Sequence, residues 1–278
     1  MNLQTADMVL QLSTVLYFSG MAGYLFFLFR QKEVYQKSAL SLIWAAVACH
    51  FVSMVIYTVA TSHVPIQNLS QNLSVAALAT GCMFLFFQYR FDLKILGVFA
   101  SVLISVIMLA VWLLPEAPVE KNMVFKGFWL YSHIILVFAG DAALALACGA
   151  GILYLLQEKG IKSKKPQGFF YKRLPSLDFL DSVGYTCLTT GFALLTIGLL
   201  TGFIYAKVVW GRFWSGDLKE VFSVGSWLVY AILLHFRFYS GWRGRKSAIM
   251  TIVGFLVIVF TFLGVNMLLG GHHQDFTK

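Results

Sequence analysis

The sequence predicts an all-α membrane protein, a polytopic bundle of about eight transmembrane helices with both termini outside. Of its 278 residues, 59% are hydrophobic and only 12% are charged. Soluble domains usually carry about 25% charged residues, so this chain has too little polar surface to cover a globule in water. All five prolines fall between the long apolar runs, which supports the helix boundaries because proline disrupts helix interiors.

Eight apolar runs are long enough to span a bilayer, which takes about 20 residues in a helix. They cover residues 8–29, 39–60, 70–88, 95–114, 128–156, 183–206, 221–240 and 247–269. The longest connection, 157–182, is too short for a folded domain, and the sequence shows no internal repeat. We therefore expect a single integral membrane domain over residues 1–278.

The basic residues predict the orientation of these helices. Fifteen of the 21 Lys and Arg residues lie in or beside one set of alternate connections, and six lie in the other set. Because cytoplasmic loops carry the excess of positive charge, the first set, which includes the basic loop 157–182, is predicted to be cytoplasmic. Both termini and the tryptophan-rich loop 207–220 then face outward. The net charge of +9 is spread over short loops between apolar runs, so we expect a lipid bilayer and no nucleic acid as partner.

Aromatic and histidine residues collect on the predicted outer face. Trp210 and Trp214 lie in the loop before the seventh helix, His133 opens the fifth helix, and His272 and His273 close the eighth. Imidazole is a common axial ligand of haem iron, and a flat aromatic surface suits a porphyrin face. The alternative interpretation is an aromatic belt at the headgroups, with solvated histidines beside it.

Several ionisable residues leave more than one interpretation open. His235, in the inner half of the seventh helix, needs a cavity or a partner, and either a ligand role or a hydrogen bond across helices satisfies it. The same alternatives hold for His50 in the second helix. Asp141, an acid deep inside a span, is suited to orient a histidine or to pair with a hydroxyl. Arg237 is expected to snorkel to the inner surface, and Glu220 to form salt bridges or cap the seventh helix.

Three motifs in the C-terminal third carry a family resemblance. The loop contains Trp210, Gly211, Phe213, Trp214, Asp217, Lys219 and Glu220 in the pattern W-G-x-[YF]-W-x-W-D-P-K-E. The seventh helix then contains Tyr230, Ala231, Leu234, His235 and Arg237, followed by the sequence G-W-R-G-R at 241–245. The eighth run ends in Asn266, Leu268, Leu269, Gly271 and His273. In these motifs the chain resembles the cytochrome c assembly proteins with the tryptophan-rich WWD motif, the family of CcsA and its HemX-like relatives.

The resemblance implies a membrane protein that moves or presents haem for attachment to apocytochrome c at the outer face of the bacterial cytoplasmic membrane. It implies non-covalently bound haem b, which reaches His235 from the cytoplasmic side and is then held outside by His133 and His273. It further implies a membrane partner of the ResB (CcsB) type and a role as one component of a cytochrome c synthase. The implied haem-binding residues are His133, His235, His272, His273, Trp210, Trp214 and Asp217, with His133, His235 and His273 as axial ligands.

Three departures from the motifs support an alternative function. Gly216 stands in place of the third tryptophan and Leu218 in place of the proline, and His272 replaces an apolar residue. These changes resemble the shorter HemX-like branch, which is associated with control of a haem-biosynthesis enzyme. In that alternative the basic segment 159–173 is the docking surface. A small-solute transporter is a third interpretation, which the lack of an internal repeat disfavours.

Overall fold

A computed structural model describes residues 2–92, 94–114, 127–163, 173–214, 216 and 218–264. Within these residues the chain is all-helical and has eight helices long and apolar enough to cross a membrane, as predicted. The helices are α1 Leu3–Arg30, α2 Glu33–Thr61, α3 Leu69–Phe91, α4 Leu96–Leu113, α5 Phe128–Lys162, α6 Leu177–Trp210, α7 Leu218–Tyr239 and α8 Arg245–Val259. A π-helical segment, Phe260–Gly264, continues α8.

The chain divides into two compact units. The first consists of residues 1–117 and 165–174 and contains α1 to α4. The second consists of residues 118–164 and 175–278 and contains α5 to α8. The tryptophan-rich loop, His133 and His235 all belong to the second unit, so that unit carries the described part of the candidate site.

The first unit buries a polar centre among three of its helices. His50 of α2 is fully buried. Its Nε2 lies 2.8 Å from Ser74 Oγ on α3, and its Nδ1 lies 3.4 Å from Tyr17 Oη on α1. In a membrane interior such polar groups must be satisfied by protein, so His50 joins helices rather than facing lipid. Of the two interpretations open for His50, the structure supports the interhelical hydrogen bond.

In the second unit, glycines bring α5 and α6 into close contact. A Cβ atom added to Gly140 of α5 would lie 2.9 Å from the backbone nitrogen of Leu195. On α6, a Cβ at Gly191 would lie 2.9 Å from the Gly140 carbonyl, and one at Gly198 would lie 2.8 Å from Val137 Cγ2. Membrane helices gain little from burying apolar surface against each other, so small residues that allow close packing are a main source of their association.

Helix α6 begins earlier than the sequence pattern predicted. The side-chain oxygen of Ser176 accepts a hydrogen bond from the Phe179 N–H at 3.3 Å, which caps the helix before Leu177. The predicted start was residue 183, where the apolar run begins. The added first turns place Asp181 inside the helix, where its side chain pairs with Arg237 of α7.

Candidate haem-handling site

His133 is seated against a glycine pair of α6. Its Nδ1 lies 2.7 Å from the carbonyl oxygen of Gly198, and that oxygen also accepts a hydrogen bond from Thr201 Oγ1 at 2.8 Å. A Cβ atom at Gly202 would come within 2.7 Å of the same Nδ1. The segment Gly198–Gly202 is a G-x-x-x-G sequence, a signal for close helix packing. The packing partner at this turn is the imidazole itself.

This hydrogen bond determines the tautomer of His133. A carbonyl oxygen only accepts, so Nδ1 carries the proton in the neutral imidazole and Nε2 carries the lone pair. Histidines that bind a metal usually donate the other ring N–H in this way, which holds the ring and raises the basicity of the ligating nitrogen. The donor chemistry at His133 therefore fits an axial ligand of haem iron.

The tryptophan-rich loop folds back toward the turn of α6 that seats His133. Gly211, with φ of +74°, ends α6 in a left-handed conformation, where a glycine costs little. Beyond it, the Trp214 ring packs on Phe203, with ring centroids 6.2 Å apart, and Phe203 directly follows Gly202. Trp214 keeps 45% of its surface exposed. Trp210 is half-buried and packs edge-on against Tyr205 with centroids 6.1 Å apart.

Short contacts stabilise this loop. Lys207 Nζ donates to the Gly211 carbonyl at 2.8 Å and lies 5.5 Å from the centre of the Phe213 ring. The N–H of Gly216 donates to Glu220 Oε2 at 3.1 Å. Glu220 therefore binds the backbone of its own loop, in the first turn of α7, where a carboxylate also complements the helix dipole.

His235 lies on an exposed face of α7, one turn before the helix ends at Tyr239. Its ring stacks on Tyr239 with centroids 5.7 Å apart and an angle of 11° between the planes. Ile232 and Phe238 are exposed on the same helix, whereas Leu233 and Leu234 are buried. The imidazole is thus presented outward from the second unit rather than packed inside it.

Arg237 does not snorkel, and the sequence-based expectation for it is wrong. Its side chain is only 8% exposed, and Nη2 lies 2.8 Å from Asp181 Oδ2 on α6. Asp181 was missed because it lies before the apolar run. The G-x-x-x-G sequence on α6 was also missed, although it was visible in the sequence as a packing signal. Asp141 is half-buried on α5, eight residues beyond His133 and about 12 Å along the helix.

Three predicted site residues, Asp217, His272 and His273, lie outside the described residues. The structure places the other four in the second unit. His133, Trp210 and Trp214 lie around the same end of α6, whereas His235 lies near the opposite end of its own helix α7. The contact between Trp214 and Phe203 links the loop to the turn of α6 that holds His133.

A family model described as "Cytochrome C assembly protein" matches residues 45–273. The chain belongs to this family. It is 28% identical to the cytochrome c biogenesis protein CcsA of Chlorella vulgaris, over 96% of this chain and 93% of the relative. It is 34% identical to CcsA of Chlamydomonas reinhardtii, over 77% of this chain and 61% of the relative. Cyanobacterial CcsA proteins match as well, at 31% identity in Prochlorococcus marinus strain MIT 9301.

A solved structure shares the fold. The cytochrome c haem lyase CcmF superposes with a TM-score of 0.67 over 95% of this chain, at 12% sequence identity. The chain spans 47% of that protein. At this identity the likeness concerns the arrangement of the helices, and the match to CcsA carries the family assignment.

Proposed function

We propose that this protein handles haem in cytochrome c biogenesis and presents it, at the outer face of a membrane, for attachment to apocytochrome c. One observation carries the proposal. His133 is held by Gly198 and Gly202 with Nδ1 as the donor, in the orientation that a metal-binding histidine needs. Membership in the cytochrome c assembly family, with likeness to CcsA over almost the whole chain, supports it.

In the proposed site, haem is the substrate in transit. The protein supplies the ligands of its iron and the aromatic surface on which the porphyrin lies. His133 Nε2 binds one face of the iron, and His273 is proposed as the second axial ligand, with His272 as its neighbouring alternative. Two axial imidazoles hold the iron six-coordinate, so no position stays open for oxygen. Trp214 and Trp210, with Asp217, are proposed to hold the porphyrin so that its vinyl edge meets the apocytochrome.

The chemistry of attachment needs positioning more than catalytic groups. Each cysteine S–H of the apocytochrome adds across one vinyl group: a carbon–sulfur bond forms, the double bond becomes single, and the thiol proton goes to the other vinyl carbon. No electrons are gained or lost in that addition. Holding the thiol and the vinyl group together removes most of the entropic barrier of a bimolecular step.

His235 is proposed as an earlier haem ligand, near the cytoplasmic end of α7. An imidazole at membrane depth on an outward face is costly unless a ligand or a partner covers it. The exposed His235 ring beside Tyr239 fits that requirement. The proposed partner is a membrane protein of the ResB (CcsB) type, in a bacterial cytoplasmic membrane. The alternative, control of a haem-biosynthesis enzyme, is disfavoured by the likeness to CcsA.

The visible spectrum of the detergent-purified protein tests this proposal. The wild type, reduced and oxidised, is compared with a His133→Ala/His273→Ala double variant, each co-expressed with the proposed partner in haem-replete cells. We expect a sharp reduced α-band in the wild type that is lost or shifted in the double variant. A wild type that carries no haem under these conditions would overturn the proposal.

A further inference from the structure

Asp181 of α6 and Arg237 of α7 form a two-point ion pair in the second unit. Arg237 Nη1 donates to Asp181 Oδ1 at 3.0 Å, and Nη2 donates to Oδ2 at 2.8 Å. The two side chains are 8% and 18% exposed. A planar guanidinium that meets both carboxylate oxygens has a fixed orientation, unlike a single-point contact.

The start of α8 also joins this pair. The N–H of Gly244, which precedes α8, donates to Asp181 Oδ1 at 3.0 Å, and Arg237 Nη1 donates to Ser247 Oγ at 2.8 Å. The guanidinium lies 4.5 Å from the centre of the Tyr185 ring, within the range of a cation–π contact. Three helices therefore meet at one mostly buried ion pair, at the end of α7 that the basic loops predict to be cytoplasmic.

The turn between α7 and α8 restricts the same end of α7. Gly241 adopts φ of +63°, and the N–H of Trp242 reaches back to the Phe236 carbonyl at 3.3 Å. The Trp242 ring stacks on the Phe236 ring with centroids 4.5 Å apart. The last turn of α7 is thus held by the ion pair on one side and by this stack at its end.

Helix geometry links Arg237 to His235. Successive residues of an α-helix are about 100° apart, so two residues separated by one position point in nearly opposite directions. Arg237 points inward to Asp181, and His235 accordingly points outward, where the structure finds it exposed. When α7 is rotated so that Arg237 reaches Asp181, the imidazole of His235 faces outward.

We propose that Asp181 and Arg237 are positioning residues for His235. The pair sets the rotation of the cytoplasmic end of α7, and thereby the direction in which His235 meets incoming haem. This inference rests on the proposed function, because the proposed function is what gives His235 a haem-binding role. The geometric part, that the pair fixes the rotation of α7, does not depend on haem.

The first test compares haem retention in the full chain, co-expressed with its proposed partner, between wild type and Asp181→Asn. The matched control is Arg245→Gln, which removes a longer ion pair with Glu158, 3.8 Å long, in which the Arg245 side chain is 61% exposed, at the N-terminal end of α8. We expect Asp181→Asn to retain haem about 10- to 100-fold less tightly, the range for groups that orient metal ligands. Arg245→Gln should behave as wild type.

The second test follows the rotation of α7 without haem. Spin labels are placed at Phe238→Cys, an exposed position, and at Leu234→Cys, a buried one, in a chain whose four native cysteines are replaced by alanine. Collision with lipid-dissolved oxygen should be frequent at 238 and rare at 234. With Asp181→Asn added, we expect this contrast to diminish.

The two tests separate the inference from the proposed function. A haem-free wild type with the expected label contrast, lost in Asp181→Asn, would overturn the haem role and keep the pair as the determinant of the rotation of α7. Unchanged haem retention and unchanged label contrast in Asp181→Asn would overturn the inference. If that variant does not accumulate, Asp181→Glu replaces it, because it keeps the charge and moves the carboxylate by one methylene. The same reduced contrast is then expected.

Discussion

The imidazole of His133 donates its Nδ1–H to the carbonyl of Gly198, 2.7 Å away, and rests on the bare backbone of Gly202 one turn later. A side chain at either glycine would collide with α5. The close packing of α5 on α6 at this turn and the orientation of the proposed haem ligand therefore depend on the same pair of glycines. This coupling makes the site testable by substitutions that leave every proposed ligand in place.

Gly202→Ala should impair haem binding although it removes no ligand. The added Cβ would lie 2.7 Å from His133 Nδ1 and 2.8 Å from Cε1. The ring must therefore move, and its hydrogen bond to the Gly198 carbonyl must lengthen. Overpacking of this kind costs about 1–3 kcal/mol of stability. The visible spectrum should show less bound haem. The control is Gly225→Ala on α7, where a Cβ meets nothing within 4 Å; equal haem loss in both would contradict the seating role.

His50→Ala should destabilise the protein without changing its haem spectrum. The substitution leaves Ser74 and Tyr17 without their buried partner, and an unsatisfied buried polar group costs about 1–3 kcal/mol. Thermal unfolding in detergent measures the loss. A spectrum that changes while the unfolding temperature does not would show that His50 is a ligand instead.

Trp214→Ala should lower haem attachment to apocytochrome c while the protein accumulates normally. Trp214 is 45% exposed and packs on Phe203, so its loss removes an exposed aromatic surface but little of the buried core. The measurement is the yield of covalent cytochrome c in cells that depend on this protein. Trp44→Ala, which removes an exposed tryptophan of α2, should leave that yield unchanged. Equal losses in both variants would indicate a general membrane-anchoring effect.

A labelling experiment should place the tryptophan-rich loop outside. Phe213 is exposed in that loop and Arg243 is exposed in the connection between α7 and α8, at the opposite end of α7. The excess of positive charge predicts that only the second connection is cytoplasmic. In intact cells, a membrane-impermeant maleimide should label Phe213→Cys and not Arg243→Cys. The reverse pattern would invert the orientation and overturn the outer haem site.

Much of this protein could be predicted from the order of its residues. Eight apolar runs determine the eight helices found in the described residues, because a backbone in lipid must satisfy its own hydrogen bonds. The boundary of α6 was placed too late, since a cap at Ser176 and the polar turns up to Asp181 carry no hydropathy signal. Hydropathy detects the part of a helix in lipid, not the turns that extend beyond it.

The sequence by itself determined the fold class and the family, and it predicted the residues of the proposed site. The tertiary structure decided which backbone His133 donates to, that His50 is buried between Ser74 and Tyr17, and that Arg237 points inward to Asp181. The physical reason is that hydropathy and sequence motifs describe the residues of one helix at a time. Hydrogen bonds and ion pairs across helices depend on the rotation and depth of each helix, which only packing against its neighbours fixes.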